Sequence, residues 1–206
     1  MMITFLALTL MSLGSSGGPS VPPEASVVRV VVLEVTDEVE HFYARFSEPM
    51  PLLLVGDSAV TPCELCVSGA PNAVYAGARY REKRLPIDRW GEFRTVLQSD
   101  LFARLVEEES GEFPVLEDLE SVLTVNLQPY MYGDRVNSSI AYEDCPEAGA
   151  ILRLSNAAVD SDRSRALVYA ELTMVHSVDM RFYLLSRDAD GEWTVEWIAP
   201  VLFYPE

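Results

Sequence analysis

Apolar positions along the chain repeat with two different periods. From residue 26 to 46, Val28, Val31, Val32, Val35, Val39, Phe42 and Phe46 recur at three- and four-residue steps, which is one stripe of a helix. The first part of this stretch is also β-branched and would suit a strand. Glu34, Asp37, Glu38, Glu40 and Arg45 fall mostly off the stripe, however, and the spacing predicts a helix of about five turns. Pro49 and Pro51 end it. Residues 52–55 (LLLV) predict a short buried strand stopped by Gly56-Asp57-Ser58, and the Pro-, Gly- and Ser-rich stretch 61–77 predicts a loop. A second helical pattern starts near Asp88 as N-cap and carries Phe93, Val96, Leu97, Leu101 and Leu105 on one face. Ser99-Asp100 offers a restart within it, and Gly111 and Pro114 close it. Residues 122–127 (VLTVNL) predict a strand, followed by turn signals over 128–134.

Toward the carboxyl end the period changes to two. Residues 165–172 (RALVYAEL), 179–187 (DMRFYLLSR) and 192–199 (EWTVEWIA) read as strands. In the last, strict alternation puts Trp193, Val195, Trp197 and Ala199 on one face and Thr194 and Glu196 on the other. Asp188-Ala189-Asp190-Gly191 between the last two strands is a hairpin turn, with Gly191 free to take the left-handed conformation. The expected fold class is α+β, with N-terminal helices packed on a C-terminal antiparallel β-sheet meander. Tyr169, Tyr183, Trp193 and Trp197 would line its buried face. That face is either a concavity for a small apolar ligand or a partner segment, or core packed under a helix, and core is the simpler reading.

The amino end stands apart. Residues 3–13 (ITFLALTLMSL) are apolar except for two Thr and one Ser, and small and Pro-rich residues follow them. This is the layout of a secretory signal peptide, and the run is shorter than the ~20 apolar residues of a transmembrane helix. The organisation expected is a signal peptide and leader over 1–25, cleaved within 14–20, and a single α+β domain over 26–206. Export to the periplasm or the outside follows from that layout. No Lys or Arg precedes Arg29, so the basic n-region is reduced to the terminal amine; the competing reading is a buried first element. No Cys lies near the cleavage stretch, which argues against a lipid anchor.

Composition adds two exclusions. With 206 residues, 49% apolar and 10% aromatic, the chain can bury a sizeable core, which excludes global disorder. Its net charge of −17 argues against binding the phosphate backbone of nucleic acids or an anionic lipid surface.

The candidate chemistry is sparse. Cys63-Glu64-Leu65-Cys66 has the CxxC spacing of redox motifs and of half a zinc site, but it lies in a loop stretch and not at the start of a helix after a strand. With Cys145 it reads most simply as a structural disulfide or loose thiols; redox catalysis or metal binding is the alternative. The serine-hydrolase elbow, Walker loop, GxGxxG, HExxH and EF-hand patterns are absent, and no cofactor is implied. Asp160-Ser161-Asp162 reads as a turn, and Asn137-Ser138-Ser139 as a bare sequon. His41 is a boundary residue of the first helix. His176 lies in an inter-strand link with Ser177 and Asp179 nearby, but triad partners converge from separate elements.

The stretch from Gly149 to Val195 resembles a group of uncharacterised exported bacterial proteins. Their carboxyl end carries a Pro-x-x-Gly segment, an "ALVY" strand and a "YYLL…DGxW" hairpin. The matching residues are Pro146, Gly149, Leu154, Ser155, Asp162, Ala166, Leu167, Val168, Tyr169, Tyr183, Leu184, Leu185, Asp190, Gly191 and Trp193. The resemblance covers about the last sixty residues and implies a carboxyl-terminal antiparallel sheet in an α+β fold. It implies no activity. The link Met174-Val175-His176-Ser177 departs from the Cys and Gly common there, and Cys145 stands where an aromatic residue is common.

The expected function is a non-enzymatic binding or structural domain of the cell envelope, its partner a protein or a small apolar ligand. Two alternatives stay open: a thiol or hydrolytic enzyme using Cys63 and Cys66 or His176, and an acidic inhibitor of a basic protein.

Overall fold

Six valines decide the character of the first element. Val27, Val28, Val31, Val32, Val35 and Val39 are all buried against the sheet. Each gains about 1.5–3 kcal/mol by leaving water, which outweighs the few tenths that a β-branched side chain costs a helix. The computed structural model, which describes residues 23–46, 51–62, 90–107, 119, 121–133, 135–174 and 177–205, makes this element helix α1, Pro23–Ala44. The sheet strands are β1 (Leu52–Gly56), β2 (Val122–Val125), β5 (Ala148–Leu154), β6 (Ala158–Val159), β7 (Arg165–Met174), β8 (Ser177–Arg187) and β9 (Trp193–Pro205). A separate small hairpin pairs β3 (Met131–Tyr132) with β4 (Arg135–Val136). Helices α2 (Trp90–Leu97) and α3 (Asp100–Glu107) meet at a break over Gln98 and Ser99, where the sequence offers a restart; α4 spans Ser138–Asp144. Among the described residues no helix is long and apolar enough to cross a membrane.

The fold class is α+β, as the periodicities predict. The sheet is mixed, in the order β2-β1-β5-β7-β8-β9, with β6 also on β7. Strands β5, β7, β8 and β9 form the antiparallel meander, while β2 and β1 extend it in parallel on the β5 edge. Both faces are covered. Leu53, Val55, Ala150, Leu152, Val168 and Tyr183 pack under α1. On the other face, Leu167, Tyr169, Phe182, Leu184 and Trp197 pack under α2 and α3, and Leu54 and Ile151 pack with Ala141 of α4.

Two local devices in the sheet bear on its layers. Between β5 and β6, Ser155 keeps the ladder to β7 going: its N–H donates to the Tyr169 carbonyl at 2.9 Å, and its Oγ accepts from the Tyr169 N–H at 2.9 Å. In β9, Leu184 faces Trp197 and Leu185 faces Val195, so Glu196 is an extra residue, a β-bulge. The single aromatic face expected from strict alternation is therefore corrected. A one-residue insertion flips every side chain beyond it, and Trp193 lies on the α1 side while Trp197 lies on the α2 side.

The carboxyl end of α1 is pinned by a close approach. Tyr43 Oη donates to the Gly149 carbonyl at 2.9 Å, and a Cβ on Gly149 would lie 1.9 Å from Pro51 Cγ. Gly149→Ala is expected to cost about 1–3 kcal/mol through overpacking, read as a lower urea midpoint with an unchanged slope. An unchanged midpoint would refute this account of the contact.

Candidate functional site

A charged side chain in the middle of a sheet is the informative kind of burial, because an uncompensated ion there is costly. Arg181 of β8 is 1% exposed. Alternation places Asp179, Arg181 and Tyr183 on the α1 side of β8. Arg181 donates through Nη1 to Glu38 Oε2 of α1 at 2.8 Å and to Tyr183 Oη at 3.1 Å, and through Nη2 to Asp179 Oδ2. Burial by itself would lower the pKa of this guanidinium; the carboxylates of Asp179 and Glu38 outweigh it and hold the pKa well above the ordinary value. Burial raises the Tyr183 hydroxyl against the opposing pull of Arg181.

A second group lies on the opposite face of the same stretch. Arg153 of β5 donates to Glu171 Oε2 of β7 at 2.7 Å, and Tyr169 Oη donates to Glu171 Oε1 at 2.9 Å. Burial first, and the charge of Glu171 second, push the Tyr169 hydroxyl above its usual range. In the register of β7 and β8, Ala170 faces Arg181 and Glu171 faces Met180, so the two groups are back to back through the sheet. Chemically they hold protons in place: the phenols are made poorer acids, and each guanidinium is matched by a carboxylate.

The sequence-predicted site residues do not converge. Tyr183 and Trp193 belong to the core under α1, and Tyr169 and Trp197 to the core under α2 and α3; all four are buried. The four fill two packed layers, the simpler of the two readings, although the layers lie on opposite faces of the sheet. Phe93 of α2 sits edge-on to Trp197 at 5.7 Å between ring centroids and packs on Phe182 at 5.6 Å. Cys145 is a half-buried free thiol at the end of α4, where its N–H donates to the Ala141 carbonyl. His41 is exposed in the last turn of α1. Cys63, Cys66 and His176 lie outside the described residues, as do residues 1–22 of the leader expected over 1–25; its last three residues, 23–25, open α1 instead of preceding the domain. Among the described residues, no three His, Cys, Asp or Glu side chains are placed to hold a metal ion.

The turn residues of the stretch from Gly149 to Val195 serve the backbone. Gly191 has φ +89° in the β8–β9 turn, and Asp188 Oδ1 accepts from the N–H groups of Asp190 and Glu192. Asp160 accepts from the N–H groups of Ser164 and Arg165, closing the turn before β7. No family model matches the chain, and no curated protein or solved structure matches it either.

Glu38, Arg153, Glu171 and Arg181 were not singled out by periodicity, although each interrupts an otherwise apolar face. Glu38 lies seven residues after Val31 and three after Val35, in line with the valine stripe. Asp179, Arg181 and Tyr183 share one face of a strand by their spacing. A charge in the apolar phase of a strand or helix is the signal that marks them.

Two outcomes test this reading. Arg181→Met strands two half-buried carboxylates and is expected to cost about 3 kcal/mol, the low end for a broken buried pair. Combined with Glu38→Gln it should cost less than the sum of the two single changes, as members of one network do; strict additivity in urea melts would refute the network. Tyr169 and Tyr183 have folded pKa values raised above 10, the ordinary tyrosine value, so the unfolded chain loses those protons first. Their contribution is fully present below pH 10 and is lost as pH rises above it. Stability should fall above pH 10, and less steeply in Tyr169→Phe.

Proposed function

We propose that this chain is a non-enzymatic domain, exported to the cell envelope or beyond it, that works by binding a partner or by a structural role. The observation that carries this reading is the mutual engagement of its interior polar groups. Arg153, Glu171 and Tyr169 on one face, and Glu38, Asp179, Arg181 and Tyr183 on the other, bond one another. A catalytic constellation instead aims its donors and bases at a shared point where a reacting atom can sit. The aromatic residues that would have lined a ligand cavity are spent on two packed layers. Export is supported by the apolar run over 3–13 and the small-residue stretch after it, and by the resemblance of the last third of the chain to exported bacterial proteins.

The test uses the full chain with a carboxyl-terminal tag in a bacterial host. A product outside the cytosol whose amino terminus falls between residues 15 and 21 is expected from the cleavage stretch 14–20. An uncleaved product in the cytosol overturns export. Thiol titration of the same protein addresses the enzymatic alternative. Ordinary thiol behaviour, or an inert disulfide, at Cys63 and Cys66 agrees with the proposal, whereas a reactive low-pKa Cys63 overturns it in favour of redox chemistry.

A further inference from the structure

No further inference is drawn: the strongest candidate, the buried indole N–H of Trp197 in the layer under α2 and α3, which finds no hydrogen-bond partner among the described residues, lies beside apolar neighbours such as Phe93 and Leu184, and nothing in the structure shows which acceptor would meet it.

Discussion

A guanidinium buried in the middle of a sheet has to bring its counter-charges with it. Arg181 draws one from its own strand, Asp179, and one from the helix above, Glu38. Apolar contact between α1 and the sheet is non-directional and would tolerate sliding by a turn. The ion pair does not, because a displaced Glu38 would leave a buried cation short of its partner, and that costs more than any single valine contact. The valines therefore supply the adhesion of α1, and the pair fixes its position. Tyr43, one and a half turns further on, anchors the same helix to the Gly149 carbonyl, so α1 is held at two points along its length.

That anchoring also explains why the charged groups on the two faces occur together. Burying a charge on one face of a strand pair removes apolar packing there, and β5, β7 and β8 place both groups on one short stretch rather than along the sheet. On either side of it the layers are conventionally apolar. The bulge at Glu196 lets β9 serve both layers, giving Trp193 to one and Trp197 to the other. Without the extra residue both indoles would crowd one face and the other would lack its largest filler.

Much of this architecture was legible in the sequence because periodicity reports burial directly. The valine stripe, the break at Ser99, the two long strands and the Asp-Gly turn all stand where the pattern puts them. Strand β5 was not anticipated, since AGAILRL is short and interrupted by Arg153. Helix α4 was not anticipated: SSIAYED has one buried apolar side, Ala141, too little for a periodic signal. The exchange of faces in β9 was invisible because alternation assumes an unbroken ladder, and a bulge is set by tertiary pairing. The site was least legible. Motifs mark residue types associated with reactions, whereas the groups that stand out in the fold are ordinary Arg, Glu and Tyr whose importance comes from position.

The parallel edge of the sheet has a consequence for how the chain comes together. Leu53 finds its neighbours in Val122 and Ala150, and between them lie most of the residues that make the helices of the opposite face. During synthesis β1 therefore emerges long before either strand it must lie between. Its pairing needs two long loop closures, whose chain entropy is lost before any contact offsets it. The antiparallel meander, whose contacts are local, can close first and act as the template on which the older part of the chain is laid last.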